Sequence, residues 1–146
     1  MENEDLREQM LGAWIEVNGM LKDSRITRDL TYNEAVVMKL VYDRYRADGT
    51  GRTAVGYIAR ETRMLKSLVN RTVGALCAGG YLIRERGEAD GRNVFVRPVE
   101  SRLRDFLAVH QRSLALVQQI IDVVGPEDAE CFVRMAGKLS ASGLRL

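Results

Sequence analysis

Two short helical stretches followed at once by two strand runs constrain this chain more than any other feature. The first stretch runs from Thr53 to about Thr62, with Val55, Ile58 and Ala59 spaced as one buried side. The second runs from Met64 to Ala78, with Leu65, Val69, Val73 and Leu76 on one stripe and Ser67, Asn70, Arg71 and Gly74 on another face. Gly79-Gly80 stops it, since glycine is the usual residue just past a helix end. Tyr81-Leu82-Ile83-Arg84-Glu85-Arg86 and Arg92-Asn93-Val94-Phe95-Val96-Arg97 have strand composition, and the polar Gly87-Glu88-Ala89-Asp90-Gly91 between them makes a hairpin with a basic tip.

The rest reads as helix. Leu6, Met10, Ala13/Trp14, Val17 and Met20/Leu21 mark a first helix over about 4–22. Thr31 and Glu34 form a capping box for the next, which carries Val37, Met38, Leu40, Val41 and Tyr45 and ends before Asp48-Gly49-Thr50-Gly51. After Pro98, an apolar repeat from Leu103 through His110 to Val124 spans about six turns. Gly125-Pro126-Glu127-Asp128 starts a last helix, with Ala129, Phe132/Val133, Ala136 and Leu139 inward. The expected fold is mainly α with a small β hairpin: a winged helix-turn-helix over 31–99, set between helical dimerisation segments at 1–30 and 100–146. The end stripes exceed what so small a module can cover, so a second copy is expected to cover them in a two-fold dimer.

Charge is distributed to match. The chain has 146 residues and a net charge of +2, but residues 50–104 alone hold eleven basic and five acidic groups. A basic middle framed by slightly acidic ends suits a polyanion, and a helix fits the DNA major groove while a hairpin tip reaches the adjacent minor groove. With one histidine, His110, and two distant cysteines, Cys77 and Cys131, there is too little material for a zinc site, a disulfide framework or a catalytic constellation. The chain is expected not to be an enzyme and to hold no metal or cofactor. No apolar run is long enough to span a bilayer, and Met1-Glu2-Asn3-Glu4-Asp5 lacks the features of a signal peptide, so cytoplasm is the expected location.

Leu65-Lys66-Ser67-Leu68-Val69-Asn70-Arg71, Gly80-Tyr81-Leu82-Ile83-Arg84-Glu85-Arg86, Asp90-Gly91-Arg92 and Val94-Phe95-Val96-Arg97 together resemble the MarR family of transcriptional regulators. The resemblance implies a ligand-responsive, sequence-specific regulator, a repressor that binds a pseudo-palindromic site on double-stranded DNA as a homodimer. It implies base or phosphate contacts for Ser67, Asn70 and Arg71, a phosphate contact for Lys66, and a minor-groove role for Arg92 oriented by Asp90. Two departures stand out. Arg63 replaces the glycine common in the turn, which adds a possible phosphate contact at the expense of a positive-φ strain, and Leu65 replaces a polar N-cap. The family also implies a small aromatic or phenolic effector, with Trp14, Met38, Tyr45 and His110 as the expected lining.

Plainer readings stand beside these. The polar face of the second helix is also what a solvated surface looks like, and the module could serve protein–protein interaction without DNA sequence preference. His110 reads first as a core or interface histidine and second as a proton or effector sensor. Both cysteines read as small apolar groups.

Overall fold

Thr31 starts the helix around which the core is built. The computed structural model describes residues 3–23, 29–87 and 93–145. In it α1 spans Asn3–Asp23 and α2 spans Tyr32–Asp48. Thr31 is extended, and its hydroxyl accepts the Glu34 N–H at 3.2 Å, as the capping signature requires. At the other end Gly49 adopts φ 79°, and its N–H donates to the Tyr45 carbonyl at 2.8 Å.

The turn that follows is tied by one carboxylate. Asp48 Oδ1 accepts the Gly51 N–H at 2.8 Å, the Thr50 N–H at 2.8 Å and the Thr50 hydroxyl at 3.0 Å. The Gly51 and Thr50 amides hold the Asp48 carboxyl below the usual carboxylate range, helped by the Thr50 hydroxyl and the Arg44 charge. A group whose pKa falls on folding stabilises the native state above its unfolded pKa and loses that contribution as pH drops through the folded value. Asp48→Asn is therefore expected to be less stable than the parent at neutral pH. In denaturant titrations the gap should close in the acid range below the usual carboxylate pKa; a constant gap across that range would dissociate it from ionisation.

From the turn the chain passes through β1 (Thr53–Ala54), α3 (Val55–Thr62), α4 (Lys66–Ala78), β2 (Leu82–Arg86), β3 (Val94–Pro98), α5 (Glu100–Val124) and α6 (Pro126–Ala141). The sheet has the order β1-β3-β2 and is antiparallel throughout, with Thr53 opposite Val96 and Arg84 opposite Val96 on the other side. The hairpin expected from sequence is thus joined by a third strand. Two residues are too short to show alternation, and β1 exists because β3 offers it an edge.

Val37, Met38 and Val41 of α2 meet Ile58 of α3, Val69, Val73 and Leu76 of α4, Val96 of β3, and Phe106 and Val109 of α5 in one core. Phe106 packs tilted against Tyr42 at 5.5 Å between ring centroids. Each such side chain contributes roughly 1.5–3 kcal/mol on burial, so this cluster fixes how α3 and α4 are presented.

Two expectations about burial change. Leu65 is 77% exposed, because α4 begins one residue later and Leu65 is its extended N-cap. Thr72 is buried on the inner face instead, its hydroxyl donating to the Leu68 carbonyl at 2.7 Å. The second change is larger. Within one chain α6 buries none of its residues; Phe132 and Val133 remain exposed, as do Trp14 and Ile15 of α1 and Val123 of α5. Of the residues read as inward on α6, Ala129 is half-buried, whereas Phe132, Val133, Ala136 and Leu139 are exposed in the single chain.

Candidate nucleic-acid interface

The two faces of α4 separate cleanly. Val69, Thr72, Val73 and Leu76 are buried, whereas Ser67, Asn70 and Arg71 are exposed and share the opposite face. Lys66 is the first residue of the helix and is also exposed. Leu65 supplies no side-chain cap, so the first amides of α4 are left without a side-chain acceptor from that position. Three donor side chains and a positive helix end thus point away from the core.

The sheet is braced onto this face. Arg84 of β2 donates from Nη2 to the Asn70 carbonyl at 3.1 Å, and it passes beside Gly74, where an added Cβ would lie 3.8 Å from the guanidinium. A side chain reaching across to a backbone carbonyl on another element leaves no trace in composition or spacing. Arg97 pairs with Glu85 at 2.8 Å, and Arg52 shares that carboxylate at 3.4 Å while its guanidinium lies 3.8 Å from the centroid of the Phe95 ring. Part of the wing's positive charge is therefore internally compensated. The last ladder contact described is Gly87 N–H to the Asn93 carbonyl at 2.9 Å. Asp90 and Arg92 lie outside the described residues.

Arg63 occupies the turn between α3 and α4 at φ 59°, ψ 17°, the one non-glycine residue with positive φ among those described. The strain expected from replacing glycine is present, of order 1 kcal/mol for a residue carrying a Cβ. Its guanidinium contacts the end of α6, donating to the Ser140 carbonyl at 3.4 Å and to Ser140 Oγ at 3.5 Å.

The four side chains read as effector lining occupy different settings. Met38 is fully enclosed in the core and Trp14 is exposed on α1. Tyr45 is half-buried beside the core, and His110 is half-buried and stacked on Phe106 at 5.9 Å between centroids. None of them lines the two clefts that flank the winged module, one along α5 and one at the α3–α4 turn. Cys77 and Cys131 are both free and half-buried. Among the described residues no cluster of three or more His, Cys, Asp or Glu side chains is placed to hold a metal ion, and no helix is long and apolar enough to cross a membrane.

The exposed face of α4 and the hairpin beside it coincide with a recognised sequence pattern. Residues 44–93 match the MarR family model. That matched segment contains α3, α4 and β2, so the likeness read from Leu65 to Arg97 is confirmed over its part up to residue 93. The fold of the whole chain is that of MarR regulators. It superposes on the transcriptional regulator BldR from Sulfolobus solfataricus with a TM-score of 0.75 at 19% identity, covering 97% of this chain and 99% of that one. A MarR family transcriptional regulator from Streptomyces coelicolor, solved in complex with DNA, gives a TM-score of 0.78 at 18% identity over 95% of this chain and 88% of its own. BpsR of Bordetella bronchiseptica, whose DNA binding is regulated by 6-hydroxynicotinic acid, gives 0.75 at 16% identity over 93% and 98%. No curated protein matches the chain.

Proposed function

We propose that this chain is a ligand-responsive transcriptional regulator that binds double-stranded DNA as a homodimer and represses by occupying a pseudo-palindromic operator. The observation that carries the reading is the exposed Ser67, Asn70 and Arg71 face of α4, braced by Arg84 and lying inside the MarR segment. A helix so presented fits the major groove, with Lys66 at its start against a phosphate and Ser67, Asn70 and Arg71 toward base edges or the backbone. Arg92 on the wing then enters the minor groove, with Asp90 holding it. The similar Streptomyces coelicolor structure in complex with DNA supports this mode of use.

Pairing of two copies is supported by the uncovered apolar residues of α1, the far half of α5 and α6. The division of labour is then 31–99 for DNA and 1–30 with 100–146 for dimerisation, and two-fold symmetry sets the recognition helices about one DNA turn, ~34 Å, apart. The effector is a small aromatic or phenolic acid, a reading supported by the 6-hydroxynicotinic acid response of BpsR. Trp14, Met38, Tyr45 and His110 are the proposed effector side chains. The chain works by binding and not by turnover, in the cytoplasm.

The test is a salt series of binding to the DNA upstream of the chain's own gene. Each phosphate contact adds about 0.9 to the slope of log affinity against log salt, so Arg71→Ala and Arg92→Ala should each lower the slope by about one if they meet phosphates. If Arg71 meets a base edge instead, its loss should cost about 1–3 kcal/mol and relax specificity at one position. Unchanged affinity, slope and footprint in both variants would remove these residues from the interface.

A further inference from the structure

Within the described part of the winged module, three large apolar side chains are left exposed: Tyr32, Leu65 and Ile83. Tyr32 opens α2 and Ile83 lies on β2, whereas Leu65 stands at the start of α4, immediately before Lys66 and Ser67. Leu65 is the most exposed of the three, and the local backbone explains why. Met64 packs against the core, and Leu65 follows it in an extended conformation at φ −59° and ψ 143°. Neighbouring side chains of an extended segment leave on opposite sides, so turning Met64 inward turns Leu65 out. Its position is also fixed. The Leu65 carbonyl accepts the Val69 N–H at 3.0 Å, which closes the first turn of α4 onto this residue. An apolar group is thus carried rigidly at the end of the helix that presents Ser67, Asn70 and Arg71.

We infer that Leu65 reads a thymine by its 5-methyl group. This rests on the reading of α4 as a recognition helix, and it adds an apolar reader to the polar ones. Recognition helices lie in the major groove with their N-terminal residues against base edges. On that edge thymine alone of the four bases presents a methyl group; the characteristic groups of the others are hydrogen-bond donors and acceptors. A leucine side chain can neither donate nor accept, so against a phosphate or a polar base edge it only displaces water that the nucleic acid needs. Against a methyl it removes apolar surface of both partners from water and leaves nothing unpaired. A polar cap at this position would stabilise the free helix and could not make that contact. In a two-fold dimer each half-site carries one such thymine.

The experiment replaces thymine by uracil, which lacks only the methyl, one position at a time in the duplex footprinted upstream of the chain's own gene. At one thymine per half-site the replacement should weaken binding by the parent about fourfold, the effect of one buried methyl group. Leu65→Ala should bind the thymine duplex less tightly with melting temperature retained, and should no longer distinguish the two duplexes at that position. Leu65→Ser, which supplies a polar cap, should be equally blind to the methyl. Lys66→Ala is the contrast: it should weaken both duplexes alike and keep the parent's preference. A parent that responds to no methyl, a Leu65 variant that keeps the preference, or its loss in Lys66→Ala as well would each overturn the inference, and in all three cases the parent's footprint leaves the DNA-binding reading standing. Absence of any footprint would overturn both.

Discussion

Introducing aspartate at both Phe132 and Val133 is expected to convert the protein from a dimer to a monomer and to weaken operator binding by at least 100-fold. Phe132 is 66% and Val133 68% exposed in the single chain, on a helix that buries nothing of its own. Exposed large apolar side chains of this kind, found also at Val123 and at Leu6, Met10 and Trp14, are the mark of surfaces covered by a partner. Two carboxylates at its centre would be desolvated without partners in the dimer, a penalty of several kcal/mol each. The monomer keeps its own core, since neither residue belongs to it. Its loss of affinity comes from geometry: two reading heads on one rigid body gain roughly 10²–10⁴ over one through effective concentration. Sedimentation and footprinting measure the two quantities separately. A variant that stays dimeric, or a monomer that binds the full operator as tightly as the parent, would defeat the dimer reading.

Gly51→Ala is expected to destabilise the winged module by about 2–4 kcal/mol, on the order of a 10 °C drop in Tm for a chain of this length. Gly51 has φ 67°, and a Cβ placed on it would lie 2.9 Å from both Cδ and Cγ of Pro98 and 3.1 Å from Tyr45 Cβ. Neither neighbour can give way easily: the proline ring is rigid and sits at the end of β3, and Tyr45 Cβ is fixed to α2. Part of the effect is the backbone conformation and part is the collision. Gly49 separates them, because it too has positive φ, 79°, but nothing lies within 4 Å of its added Cβ. Gly49→Ala should therefore cost only the conformational share, about 1–2 kcal/mol. Equal losses in the two variants, measured by denaturant unfolding, would mean that the contact with Pro98 is not felt.

Much of the architecture was legible because its signals are local. The cap at Thr31, the breaks at Gly49 and Gly79-Gly80, and the Pro126 start each act within a few residues, and each lies at the element end it suggested. The polar face of α4 was legible for the same reason, since three-and-four spacing is a property of the helix alone. Non-local features were not. β1 is two residues whose only reason to be a strand is β3, and Arg84 owes its role to a carbonyl fourteen residues earlier. Leu65 kept the spacing of the buried stripe but fell just outside the helix, where the spacing rule no longer applies. The Arg63 strain was readable from the glycine it replaces, whereas its contact with Ser140, seventy-seven residues away, was not.

One element lies in both halves of the molecule. α5 is a continuous run of 25 residues, anchored in the winged core by Leu103, Phe106 and Val109 and bare of its own chain's packing at Val123. Such a helix is about 37 Å long. It is a lever arm: a tilt of about 5° at the bare end sweeps the reading end through roughly 3 Å. In the proposed dimer, two arms moving symmetrically would change the span between the reading heads by about twice that, a large error against a spacing of ~34 Å set by one turn of DNA. If the chain pairs and reads DNA as proposed, a rearrangement smaller than a side chain at the paired ends is enough to take both helices out of register with their grooves.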